Sequence, residues 1–254
     1  MLRISRRCQY EDLKGDLFFS CSHFSFFIPK EKQMKRLSFI LVILLSLMMV
    51  SAITEAQSIS QVLLIPREAE GYSGLDTMLI REVGVMTDLL QKAGFKVVVA
   101  TTPGQPIEGF VKKLKPDLKL SEVKVEDYSG VILACMACGF FPGPPVSPAA
   151  VSVVRQAVAK GKLVAANAGA VYILAEAGVL KGKHYSFPQD AFNPCPPQKK
   201  DLRFDGAIYS GHGVIQDGNI ITSASCARQE DQTGLRDCTP ELTRVFIAKL
   251  GRKK

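Results

Sequence analysis

Histidine is scarce in this chain, with three in 254 residues, and no second CxxC accompanies the one formed by Cys135 and Cys138. His184 and His212 are single and far apart, so the sequence assembles no zinc site of the paired-motif kind, and no metal is expected. No low-complexity tract is present and 47% of residues are apolar, which excludes a mainly disordered protein. The formal charge is +8, but part of it sits in the first residues and part in Arg252, Lys253 and Lys254. No stripe of Lys and Arg interleaved with aromatics occurs in the body, so nucleic acid is not an expected partner. The GxG around His212 is not followed by a helix start, so it makes no phosphate loop, and no cofactor is expected.

Nor is there an apolar run of the roughly 20 residues that a spanning helix needs. A shorter one does occur: Met34, Lys35 and Arg36 precede an apolar run over 37–52, and Thr54, Glu55 and Ala56 then offer a site with small residues. This pattern reads as a secretory signal over 34–56, with 1–33 an extension of unknown status and 57–254 the body. Cleavage would make the protein periplasmic or secreted; retention would anchor it to a membrane with the body outside. The body keeps five cysteines, an odd number for an oxidising compartment: Cys135, Cys138, Cys195, Cys226 and Cys238. Cys226 and Cys238 bracket a polar segment and are expected to form a disulfide that closes it.

The body of about 198 residues suits one α/β domain. Apolar runs at 62–65, 96–100, 131–134 and 163–166 alternate with helical patterns, which predicts a mostly parallel sheet covered on both faces. Asp217 and Gly218 signal a hairpin at the sheet edge. The stretch 117–127 mixes charged and apolar residues as a solvated excursion would, and 225–239 reads as an inserted loop before a last helix over 240–250. In such sheets ligands lie beyond the carboxyl ends of the strands, where strand order reverses.

The most informative stretch is KLVAANAGA at 162–170, a buried strand that breaks sharply into a helix. Such an elbow forces its central residue toward positive φ, and Asn167 is one of the few residue types that tolerate this. An asparagine there keeps the bend and offers no hydroxyl or thiol. Together with LQKAGFKV at 90–97, YSGVIL at 128–133, LAEAGVLKGK at 174–183 and VIQDGNIIT at 214–222, the elbow resembles the DJ-1/PfpI (also ThiJ/PfpI) family, whose fold is glutamine-amidotransferase-like.

The resemblance implies a flavodoxin-like three-layer α/β sandwich and a homodimer. It also implies an elbow cysteine followed by histidine, with a glutamate facing the thiol. Glu82, twelve positions before Gly94, matches the glutamate; the cysteine position holds Asn167 and the histidine position Ala168. The family's hydrolase, glyoxalase or deglycase chemistry therefore does not carry over residue by residue. Glu82 faces the elbow under this reading; as an ordinary helical residue it would stand on the surface of a first turn, where negative charge is favoured. The Cys135 and Cys138 pair, directly after a strand, reads as a structural disulfide or buried thiols, as a redox pair, or as a relocated nucleophile. Two functions follow: a non-catalytic protein that binds a small molecule or a protein partner at the relic pocket, or a hydrolase or thiol-dependent enzyme working through Cys135 or Cys138.

Overall fold

A computed structural model of the chain describes residues 60–66, 75–135, 146–188 and 201–251. They fall in one compact unit, Ser58–Lys254. The signal-like segment lies outside the described residues; among those described, no helix is long and apolar enough to cross a membrane.

The strands are β1 Gln61–Ile65, β2 Lys96–Thr101, β3 Ile107–Glu108, β4 Lys113–Leu114, β5 Leu118–Lys119, β6 Gly130–Leu133, β7 Leu163–Asn167, β8 His184–Tyr185, β9 Ile208–Tyr209, β10 Val214–Asp217 and β11 Ile220–Ser223. Seven of them make one sheet in the order β10-β11-β7-β6-β1-β2-β5. Every pairing in it is parallel except the β10–β11 hairpin, which turns at Gly218 with a φ of 63°. The order reverses between β1 and β6, so the switch crevice opens at the carboxyl ends of those two strands.

The sheet is buried on both faces because successive side chains of its apolar strands point to opposite sides. Leu63 and Ile65 of β1 enter the core that covers one face, while Val62 and Leu64 enter the other. On the first face lie α2 Pro148–Ala159 and α3 Val171–Glu176. On the second lie α1, built from Leu75–Thr77, Met78–Val83 and Gly84–Lys92, and the last helix α5, Thr239–Leu250. The helix α4, Ala227–Thr233, precedes α5. This is the α/β sandwich expected from the sequence. Local signals act as read: Ser147 caps α2 by accepting from the Ala150 N–H at 3.3 Å, Pro148 sits in its first turn, and Gly161 follows its end with a φ of 67°.

Two expectations need correction. The stretch 117–127 is no solvated excursion: Leu118 and Lys119 extend the sheet, and Leu120 and Val125 are buried under α2. Its apolar residues are spaced to insert into the core while the charges between them stay outside. The stretch 225–239 is not a polar loop either, since it carries α4 and buries Cys226, Ala227 and Gln229.

Candidate functional site

The site forms where β6, β7 and β11 end. β7 keeps its ladder register with β11 through the pairing of Asn167 with Ser223, and so remains extended through Asn167, whose φ is −89° and ψ 123°. The bend falls one residue later. Ala168 has a φ of 45°, the only positive value for a residue other than glycine among the described residues. The sequence reading, which puts the left-handed residue at Asn167, is therefore corrected to Ala168. Its premise was that asparagine is the better left-handed residue; hydrogen bonding of Asn167 within the ladder and the core wins instead. Alanine in this region is strained by about 1–2 kcal/mol, and it sits fully buried.

Strand alternation then sets where Asn167 points. Leu163 and Ala165 face the α1/α5 side, and Asn167 continues that row. Its Nδ2 donates to Thr239 Oγ1 at the start of α5 (2.8 Å) and to Glu82 Oε2 on α1 (3.3 Å). Its Oδ1 accepts from Ser223 Oγ at 2.5 Å, and the Ala168 N–H donates to the same Ser223 oxygen at 3.3 Å. Both amide hydrogens and the carbonyl oxygen of Asn167 are thus engaged. The residue braces three elements.

Glu82 is 1% exposed, which excludes the surface reading. It lies in the stretch Met78–Val83, where α1 widens into a π-helical turn, a deformation frequent at functional sites. Its Oε2 accepts from the Cys135 N–H at 2.9 Å as well as from Asn167. The carboxylate is held by main chain on one side and by the amide on the other.

The structure adds a residue that the sequence reading assigned elsewhere. Cys226, after β11, is packed with Cys135 and the Ala168 methyl group, all three buried. Ligand atoms of Glu82, Cys135 and Cys226 lie within 4.8 Å of one another. The Cys226 thiol shares a hydrogen bond with Cys135; that bond, burial and the nearby Glu82 carboxylate together push its pKa far above the ordinary thiol range. It carries its proton at neutral pH.

The expected Cys226–Cys238 disulfide is not formed. Both are free thiols. Cys226 is turned toward Cys135 at the cap of α4, with its N–H donating to Gln229 Oε1 at 3.1 Å, while Cys238 pairs with Ser225 Oγ at 3.1 Å. Cys138 and Cys195 lie outside the described residues, so of the expected thiol pair only Cys135 is placed. His184 pairs its Nδ1 with Ser210 Oγ at 2.9 Å on the β8–β9 ladder, and His212 lies between Gly211 and Gly213 before β10. One signal could have led to Cys226: it follows the end of another parallel strand, as Cys135 does.

Chemically, the elbow cannot attack a carbonyl carbon, because a methyl group has no lone pair. Among the described residues, the thiols packed beside it belong to Cys135 and Cys226, and the carboxylate that could exchange a proton with them is Glu82.

The family model for the DJ-1/PfpI family matches residues 75–231, more than half of the chain. An uncharacterized protein of Methanocaldococcus jannaschii is 30% identical over 54% of this chain, and this chain spans 64% of that relative's length. An uncharacterized protein of Archaeoglobus fulgidus is 31% identical over 53% of this chain and 75% of its own. Among solved structures, Drosophila melanogaster DJ-1beta superposes with a TM-score of 0.53 at 24% identity, covering 76% of this chain and 91% of its own. The two-domain protein of Anabaena variabilis with DJ-1/ThiJ/PfpI-like and ferritin-like domains gives a TM-score of 0.55 at 22% identity, over 76% of this chain and 48% of its own. At these identities the superpositions speak for the fold. Together with the family match they carry one conclusion: the chain belongs to the DJ-1/PfpI family.

Proposed function

We propose that this protein is an exported, homodimeric member of its family that binds a small molecule or a protein partner at the carboxyl end of its sheet, without covalent catalysis by the elbow. The observation that carries this reading is Ala168, the residue at the bend, whose side chain offers no attacking atom. Asn167, next to it, supports the reading because its amide is spent on Glu82, Thr239 and Ser223. Export is supported by the Met34 to Arg36 start, the apolar run behind it and the small residues at 54–56.

The test uses the protein recovered from the compartment it occupies in its own cells. Its first residue is expected near Gln57; an intact Met34 would replace cleavage by anchoring. Assays with ester, peptide and 2-oxoaldehyde substrates are expected to show no turnover above buffer. A second reading, a thiol-dependent enzyme, is favoured by the closeness of Cys135, Cys226 and Glu82. Robust turnover that Cys135→Ser abolishes would overturn the binding reading in its favour.

A further inference from the structure

Glu82, Cys135 and Cys226 reach one point from three separate places: the π-helical turn of α1, the end of β6 and the cap of α4. All three are buried, and their ligand atoms lie within 4.8 Å of one another. We propose that they form a binding site for a thiophilic d10 cation, of which zinc(II) is the representative: two thiolates and one carboxylate oxygen as protein ligands, and a fourth position for water or an exogenous donor. This names the ligand class of the relic site and rests on the binding reading above.

The donor set argues for this class of ion. Thiolates select zinc and copper(I) over magnesium or calcium, and one carboxylate beside two sulfurs fits a borderline cation. Distances allow it. Metal–sulfur bonds of about 2.3 Å and a metal–oxygen bond of about 2.1 Å place tetrahedral ligand atoms roughly 3.5–3.8 Å apart, so the three groups need close by no more than about 1.3 Å. On binding, each cysteine gives its proton to solvent as its sulfur–metal bond forms.

The surroundings behave as a supporting shell. The Cys135 N–H and Asn167 Nδ2 both fix Glu82 Oε2, and Asn167 is itself held by Thr239 and Ser223. Gln229 Oε1 holds the Cys226 backbone. The small Ala168 side chain is buried in one cluster with both cysteines. Glu82, Cys135 and Cys226 do not form a sequence motif with one another, which is why the CxxC-based reading expects no metal.

The experiment takes the full chain, reduced with a thiol-free phosphine, and measures bound zinc by competition with a chromogenic chelator and bound cadmium by its thiolate charge-transfer absorption. One equivalent per chain is expected. Cys226→Ala and Cys135→Ser should each abolish the cadmium band or weaken zinc binding more than a hundredfold, and Glu82→Gln should weaken it about 10–100-fold, whereas Cys138→Ser and Cys195→Ser should leave it unchanged. Circular dichroism checks that each variant folds. If the cysteine variants fail to fold, X-ray absorption on the zinc-loaded wild type decides, with two sulfur neighbours and oxygen-type neighbours expected. No bound equivalent, binding that survives Cys226→Ala or is lost with Cys138→Ser, or a shell of four sulfurs would overturn the site. Absence of zinc with absence of turnover would remove the cation and leave the binding reading; turnover would remove the binding reading and leave the cation to the metal measurements.

Discussion

Asn167→Ala removes the amide that joins β7, β11, α1 and α5, and its effect can be worked out from the bonds. Three side-chain hydrogen bonds disappear, to Glu82, Thr239 and Ser223. Each is worth about 0.5–1.5 kcal/mol net. All four residues are buried at 1% exposure or less, so the partners lose an intended contact with no bulk water to replace it. An uncompensated buried polar group adds about 1–3 kcal/mol. The expected destabilisation is therefore about 3–5 kcal/mol, at the upper end for a single substitution. Urea unfolding followed by circular dichroism measures it as a lower midpoint at unchanged slope. A double-mutant cycle with Ser223→Ala then isolates the 2.5 Å bond, for which a coupling of about 1 kcal/mol is expected. A loss under about 1 kcal/mol for Asn167→Ala, or no coupling, would refute the reasoning, because it would mean that the cluster exchanges its bonds with water.

Gly130→Ala should destabilise by roughly 2–3 kcal/mol in the same urea assay, since an added methyl group would stand 2.8 Å from the Phe246 ring and 2.9 Å from the Leu163 carbonyl oxygen. Combining it with Phe246→Leu should recover part of the loss, and full tolerance of the single change would contradict the close packing of α5 on β6. Asp237, whose carboxyl burial holds above its ordinary pKa despite the Thr239 hydrogen bonds, gives a pH prediction. A raised folded pKa means that stability is complete below about pH 4 and declines as pH rises through the folded value. Asp237→Asn, which keeps an acceptor for the Thr239 N–H, should therefore be more stable than wild type at neutral pH, with the gap closing toward pH 4; a gap constant with pH would contradict it.

The layers of this fold were legible because parallel strands buried on both faces leave uninterrupted apolar runs, as at 62–65 and 163–166, and because glycine and proline mark the helix ends. Glu82 was legible by its spacing to Gly94. The exact bend was not: nothing local tells whether Asn167 or Ala168 takes the left-handed position, since the decision rests on Ser223, Glu82 and Thr239, which are distant in sequence. Cys226 escaped for the same reason. Its nearest cysteine along the chain is Cys238, but strand order puts Cys135 beside it. Pairing by sequence proximity fails wherever crossovers separate neighbours.

The wide turn that carries Glu82 also sets how this chain can tolerate changes of length. Its backbone bonds reach one residue farther than those of an ordinary helix, so deleting a single residue within Met78–Val83 would let α1 close into a regular coil. The residues inside the turn would then be redistributed over one position fewer, while the side chains outside it kept their directions. Glu82 would leave Cys135 and Asn167 while the helix itself became more regular, and the shortened protein would gain a better helix at the expense of its carboxylate. Point substitutions can be scanned through this turn; indels cannot.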